Sequence, residues 1–347
     1  VNPLTTNTSV DPVCSAPPLL RERPGRLSVV LPAFNEALNL VELLPELHRA
    51  LANQTEQLEL LVVDDGSSDD TALLVQTLIH QGLPLRLLRL SRNFGKEAAL
   101  CAGLDTADGD AVIIMDADGQ HPIATALQMI DDWRRGFDVV YGVQRGRSET
   151  QSLFRRGFTR LFYWLIHHGS RINMPPDAGD FRLLDRRVVL ALRTLPERAR
   201  YTKGLFAWVG FKTKAIEYVP HSREHGVSSY GLVQLLSFAL VGLTAFTKMP
   251  LRLVSLLGIL VSALSLVFGA WVVLEKTLFG QPVSGFTTLA ASITFLAGVQ
   301  LFCLGIIAEY LGRVFDEVKH RPIYLLQDLS PPLSEGGAGQ GQGKGQA

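Results

Sequence analysis

Val112–Pro122 reads VIIMDADGQHP. Four apolar residues run straight into Asp116, Ala117 and Asp118, with Gly119 and Gln120 behind them. A short unbroken apolar run is the pattern of a strand buried on both faces. Ionised groups do not end such a strand unless something pairs with them. The stretch therefore predicts a core strand that delivers Asp116 and Asp118 to the mouth of a sheet.

The pattern recurs on either side. Between Leu27 and about Gly142 the apolar runs LSVVLP, LELLVVD, LRLLRL, AVIIMD and FDVVYG alternate with helical patterns. Those patterns cover Ala37–Ala52, Asp69–Gln81, Lys96–Thr106 and Ile123–Arg135. Strand–helix alternation with continuous apolar strands predicts an α/β domain with a mostly parallel sheet covered on both faces. Ligands of such sheets bind beyond the carboxyl ends of the strands. Polar clusters follow four of those ends: AFNE, DDGSSD, SRNFGKE and DADGQ. From residue 143 the pattern is less regular. QRGRSE reads as a basic turn, Ser152–His168 as an amphipathic helix and DAGDFRLLDR as a loop entering a short strand. RYTKGLFAWVG suits a helix and KTKAIEYVP a strand.

Composition adds a membrane part. Lys+Arg and Asp+Glu both number 33 in 347 residues, so net charge points to no nucleic acid or other polyanion. Mean hydropathy is +0.19, high for a soluble enzyme. Cys14, Cys101 and Cys303 lie far apart and show no metal or disulfide spacing, which fits a reducing compartment. Residues 1–26 are rich in Pro, Thr and Asn, carry no signal-peptide pattern and read as a disordered lead-in. Leu253–Leu274 holds no charge over 22 residues, and Gly285–Ala308 is a second uncharged span. A helix of about 20 residues crosses a hydrocarbon core of about 30 Å. Lys248 and Arg252 precede the first span, and Arg313, Lys319 and Arg321 follow the second. The positive-inside rule makes this a hairpin with both ends cytoplasmic. Residues 227–249 lack charge between Arg223 and Lys248 but carry Ser, Gln and Thr, and read as a helix lying on the cytoplasmic membrane surface. The tail GGAGQGQGKGQA is low in complexity.

The rim carries the chemistry. Asp116 and Asp118 offer oxygens for a hard divalent cation, Mg²⁺ or Mn²⁺, that bridges to a substrate phosphate, and Gln120 adds a neutral oxygen. The alternative is that Asp118 caps the helix that Pro122 starts. Asp64 and Asp65 suit a base N–H or ribose hydroxyls, although Asp69 in the same run suits a helix cap. Asn35 suits a cap too, leaving Glu36 to meet a sugar hydroxyl. Arg92 and Lys96 lie at a helix start, where phosphates are favoured. Neither a dinucleotide fingerprint nor a P-loop is present. His121, His167, His168, His221 and His225 show no ligand spacing.

In series, PAFNE, VVDDGSSDDT, SRNFGKEAALCAGLDTADGD, MDADGQHP, GDFRLLDR and the twin C-terminal spans resemble family 2 glycosyltransferases of the polyprenyl-phosphate type. These include dolichyl-phosphate mannose synthases and bactoprenol glucosyltransferases, and SRNFGKEAA and GDFRLL look closest to the latter. The resemblance covers about Leu27 to Leu326. It implies a GT-A catalytic domain over residues 27–226 and two transmembrane helices within 250–312. Residues 313–347 then form a cytoplasmic segment and tail. It implies a nucleotide sugar lying across Pro32, Glu36, Asp64, Asp65, Lys96 and Asp116, and a metal on Asp116, Asp118 and Gln120. Arg145 and Arg147 match basic residues that hold a lipid phosphate, with Arg223 a similar candidate and a solvated surface turn the alternative. Asp180 takes the position discussed as catalytic acid or base, with Asp177 close by and a salt bridge to Arg182 or Arg145 the alternative; the metal would bring Asp118 into catalysis. The implied reaction is inverting transfer of a hexose, glucose from UDP-glucose or similar, to an undecaprenyl- or dolichyl-type phosphate. The implied location is the bacterial inner membrane, with the catalytic domain cytoplasmic and a homo-oligomer allowed. A polysaccharide synthase would carry Gln-x-x-Arg-Trp, and none of the four tryptophans follows an arginine. A non-catalytic membrane adaptor would not need the D-x-D motif.

Overall fold

The computed structural model describes residues 21–145, 178–195, 197, 202–221, 249–279 and 285–329. Arg147, Asp177, Arg223, the Ser152–His168 helix and the interfacial helix expected over 227–249, up to residue 248, lie outside the described residues.

The first half follows the alternation. Strands β1 (Arg26–Ala33), β2 (Gln57–Asp64), β3 (Leu85–Leu90), β4 (Ala111–Ile114) and β5 (Val139–Gln144) are separated by four helices. These are α1 (Ala37–Leu51), α2 (Thr71–His80), α3 (Lys96–Thr106) and α4 (Ile123–Arg134). Helix α1 buries Leu40, Leu43, Leu44, Leu47 and Leu51, the spacing of one helical face. Strand β6 (Ala178–Asp185), helix α5 (Arg186–Arg193), helix α6 (Thr202–Trp208) and strand β7 (Thr213–Tyr218) complete the domain. The long helices α7 (Met249–Phe279) and α8 (Phe286–Val318) follow, and then strand β8 (Leu326–Leu329).

One eight-stranded sheet runs in the order β7-β5-β6-β4-β1-β2-β3-β8. Neighbours β4-β1, β1-β2, β2-β3 and β5-β7 are parallel. Period-2 alternation sends Val29 and Leu31 to the face covered by α1, α2 and α4. Val30 faces the other way, with Ala99 and Leu100 of α3, Val189 of α5 and Phe206 of α6.

Three features depart from the sequence reading. First, β5 does not lie beside β4. β6 inserts between them, antiparallel to both. Its register pairs Ile114 with Arg182, so two residues further on Asp180 stands across from Asp116. The GDFRLLDR stretch is thus mostly strand, because Phe181 and Leu183 fill one core and Leu184 the other.

Second, the segment after the hairpin carries a strand that the sequence reading did not name. Helix α8 continues to Val318, and β8 pairs antiparallel with β3, matching Leu326 with Leu90 and Leu329 with Leu88. An open sheet edge presents unpaired backbone groups, and β8 satisfies them. Third, the chain is already placed at Arg21. Its guanidinium lies 2.6 Å from Asp138 Oδ1 and 3.0 Å from Asp185 Oδ2, which fastens residues 21–26 to the domain.

Helices α7 and α8 have 31 and 33 residues. At ~1.5 Å per residue each is longer than a bilayer core of about 30 Å. By length and composition both can cross a membrane, over Leu253–Trp271 and Phe295–Val318. The second window starts at 295 rather than 285 and runs past Glu309, which pairs with Arg313 one turn on at 3.2 Å. Leu256, Val267, Trp271 and Leu301 are all more than 60% exposed, a surface suited to hydrocarbon rather than water.

Candidate functional site

β4 ends at Ile114, and Met115 N makes a last bond to Val30 O at 3.1 Å. The loop then folds back on itself. Asp116 N donates to His121 Nδ1 at 3.1 Å, Gln120 N donates to Asp118 Oδ1 at 3.1 Å, and Gly119 takes φ +70°. The N-cap of α4 is Pro122, without a side-chain cap, so Asp118 does not serve as the helix cap considered above.

Asp116 and Asp180 meet at Lys96. Its Nζ lies 2.6 Å from Asp116 Oδ1 and 2.9 Å from Asp180 Oδ2. Lys203 on α6 approaches Asp180 Oδ1 at 3.7 Å. The buried Arg182 donates to Gly179 O and stacks its guanidinium 3.9 Å over the Phe206 ring. Glu97 accepts from Thr202 N at 3.2 Å, which ties the start of α3 to the start of α6.

These contacts set the charges. Burial works to raise the Asp180 pKa, but Lys96, then Lys203 and Arg182, outweigh it and hold the carboxyl well below the usual range. Burial works against the charge of Lys96, and Asp116 and Asp180 more than reverse it, so the ammonium is held charged. Burial, helped by Asp180, pushes Glu97 up to about 7. Burial pulls Arg182 down to about 10 against the pull of Asp180. Burial lowers His121 although Asp116 and Asp118 favour its charged form.

The neighbouring rim is built by carboxylates turned inward. Asp64 is fully buried: Oδ1 accepts from Ser67 N at 2.8 Å, and Oδ2 lies 3.4 Å from Arg89 Nε. Asp65 accepts from Phe94 N at 2.7 Å and Gly95 N at 2.9 Å, which pins the loop that carries Lys96. Gly66, at φ +69°, lets that loop close in, since a Cβ there would stand 2.5 Å from Arg92 C. Glu36, half-buried at the rim, accepts from Asn39 Nδ2 at 2.5 Å through Oε2. Asn35 caps no helix; its Oδ1 accepts from Ser68 N across the rim at 2.9 Å. The N-cap of α2 is Asp70, with no side-chain cap; Asp69 just before it accepts from Thr71 N at 3.1 Å. Pro32 is half-buried in β1, paired with Val63. Arg145 follows β5, exposed, with Nη2 3.2 Å from Glu217 Oε2.

The fold thus brings Asp116, Asp180 and Lys96 together and keeps Asp64 and Asp65 as supports of the loops around them. Sequence reasoning missed Glu97 and Lys203 and left His121 unassigned, while Arg182 stood only as a possible salt-bridge partner of Asp180. Glu97 sits next to Lys96 and His121 next to Gln120, so adjacency was the available signal. Among the described residues, no group of three or more His, Cys, Asp or Glu converges on one point. The protein ligands available at the loop are two carboxylates and the Gln120 amide. That set fits Mg²⁺ or Mn²⁺ taking its remaining oxygens from substrate phosphate and water.

Comparison with known proteins supplies the family. The description Glycosyl transferase family 2 matches residues 28–192, and GtrB C-terminal hairpin matches residues 249–314. An uncharacterized glycosyltransferase of Synechocystis is 41% identical over 303 residues, 87% of this chain and 95% of that protein. A bactoprenol glucosyl transferase of Shigella phage SfV is 38% identical over 307 residues, 87% of this chain and 98% of that protein. A prophage bactoprenol glucosyl transferase homolog of Escherichia coli is 36% identical over 306 residues, 87% of this chain and 98% of that protein. With a GT-A-like domain ahead of two apolar helices, and relatives matched along both, the chain belongs to glycosyl transferase family 2, in the group that carries the GtrB C-terminal hairpin.

Proposed function

We propose that this glycosyltransferase moves a hexose from a nucleotide sugar to a membrane polyprenyl phosphate, with inversion, at the cytoplasmic face of the bacterial inner membrane. One observation carries the reading. A charged rim built on Asp116, Asp180 and Lys96 belongs to a sheet that β8 joins to a pair of bilayer-length helices. The named relatives supply the substrate class: two of the three reported above are described as a bactoprenol glucosyl transferase or its homolog.

The donor diphosphate would approach the loop of Asp116, Asp118 and Gln120. A divalent cation held there would neutralise charge on the departing diphosphate. Lys96, held charged between Asp116 and Asp180, is placed to take up the same negative charge. Pro32 lines the donor side, while Asp64 and Asp65 shape it through the backbone they bind. The acceptor brings its own nucleophile, since a phosphate monoester with a second pKa near ~6 is largely ionised at neutral pH. Asp180 is too weak a base to be needed for proton removal, so we assign it to orienting Lys96, Lys203 and through them the acceptor. Arg145, at the same rim, is assigned to the lipid phosphate.

The donor is tested by incubating membranes containing the chain with a panel of labelled nucleotide sugars and extracting the lipid. Label is expected in the lipid phase with one hexose donor, UDP-glucose first. Equal, low label with every donor would contradict the assignment.

A further inference from the structure

His121 lies in the D-x-D loop, yet neither the catalytic reading nor its spacing gave it a role. Its ring does two things at once. Nδ1 accepts the N–H of Asp116 at 3.1 Å, the first backbone donor after β4 makes its last bond to β1. Nδ1 as acceptor places the ring proton on Nε2. The ring also stacks on Phe181, with centroids 4.4 Å apart and planes 11° from parallel. Phe181 is the residue after Asp180. Tyr218 of β7 meets the same ring edge-on at 5.8 Å. Tyr218 comes this close to the sheet because residue 142 is glycine: a Cβ there would stand 2.8 Å from Tyr218 Cε1. The loop is fastened once more where Gln120 O accepts from His221 N at 3.1 Å. A loop that leaves its strand would swing freely at the residue that must hold still. Here an imidazole takes over from the sheet.

We propose that His121 is a positioning residue for the cation site: its Nδ1 replaces the lost strand partner of Asp116, and its stack on Phe181 keys the Asp116–Asp118 loop to the strand that carries Asp180. The proposal rests on the reading that Asp116 and Asp118 hold a divalent cation. Outer partners that orient a ligating group are worth roughly tenfold or more in metal affinity.

The test uses the full chain in detergent, with Mn²⁺ alone as probe and free Mn²⁺ read by electron paramagnetic resonance. His121→Phe keeps a stacking ring and removes the acceptor. His121→Asn removes the ring and puts Oδ1 where Nδ1 sits. Mn²⁺ binding is expected to weaken about tenfold in the Phe variant and to recover only in part in the Asn variant, which restores the acceptor but not the stack. Wild-type binding by the Phe variant, or an Asn variant no better than Phe, would overturn the proposal. Should the Phe variant not fold, His121→Gln takes its place, since its oxygen lies one bond further out. Asn is then expected to bind Mn²⁺ more tightly than Gln, and equal binding would overturn the proposal. Asp118→Ala separates the two ideas. If wild type binds Mn²⁺ and Asp118→Ala does not, any failure belongs to His121. If wild type binds none, the cation reading fails and this proposal with it.

Discussion

Glu97 is the residue through which pH reaches the site. Its carboxyl, buried and close to Asp180, is pushed up from 4.5 to about 7. Between those values the folded chain keeps a proton that the unfolded chain has released. That contribution to stability is fully present below pH 4.5 and is lost as pH rises through about 7. Thermal unfolding of the full chain in EDTA should therefore lose stability more steeply from about pH 4.5 to 7 than the same scan of Glu97→Gln, whose amide stays neutral. Parallel curves would mean that Glu97 is ordinary. Arg145 poses a different question. Its pair with Glu217 is between side chains 72% and 67% exposed, and such pairs are worth about 0–1 kcal/mol, too little to hold it from a phosphate. A hydrogen bond to a charged group is worth about 1.5–3 kcal/mol, so Arg145→Ala should raise the KM for polyprenyl phosphate roughly 10- to 150-fold. Nucleotide affinity should stay unchanged, and Lys should recover only part of the loss. A change in acceptor KM below about twofold would make Arg145 a solvated turn residue. The sequence made Asp116 and Asp118 legible because they are chain neighbours behind one strand. Lys203 acquires meaning only once β6 lies beside β4, and nothing local in the chain announces that.

The strands β1 to β4 and their helices were legible because each is a continuous apolar run followed by a helical pattern. The direction of β6 and the existence of β8 were not, because both are fixed by partners far away in sequence. β8 is the more consequential. It reaches the sheet at Leu90, beside Ser91, whose N–H donates to Leu325 O at 2.8 Å, and Tyr324 Oη donates to Asp105 Oδ2 at 3.0 Å. Tyr324 and Leu326 pack against the core cluster that holds Leu88, Leu90 and Ala99. The chain leaving α8 is thereby tied to the edge from which the Lys96 loop departs. Ending the chain after Lys319 should cost on the order of 2–3 kcal/mol, from lost ladder bonds and exposed apolar surface. For a domain of this size that is roughly 4–12 °C in Tm. Ending it after Ser330 keeps β8 and should leave Tm unchanged. Equal Tm values for the two truncations would show that β8 contributes nothing.

At the scale of the whole molecule, two facts must serve one reaction. The sheet's rim gathers carboxylates and ammonium groups around Asp116 and Asp180, and the hairpin offers apolar surface long enough for a bilayer. Since α8 is followed by a strand of the catalytic sheet, a hairpin that spans a membrane would have this end on the same side as the catalytic domain. A water-soluble donor and a lipid acceptor can then meet at one site, which is the central claim. The most direct measurement is transfer of labelled hexose to polyprenyl phosphate by the purified full chain, run for wild type and Asp118→Ala, with Mn²⁺ and with EDTA. The expected result is lipid-linked label from wild type with Mn²⁺, at least about a hundredfold less from Asp118→Ala, and none in EDTA. Full transfer by Asp118→Ala, or transfer that persists in EDTA, would contradict it.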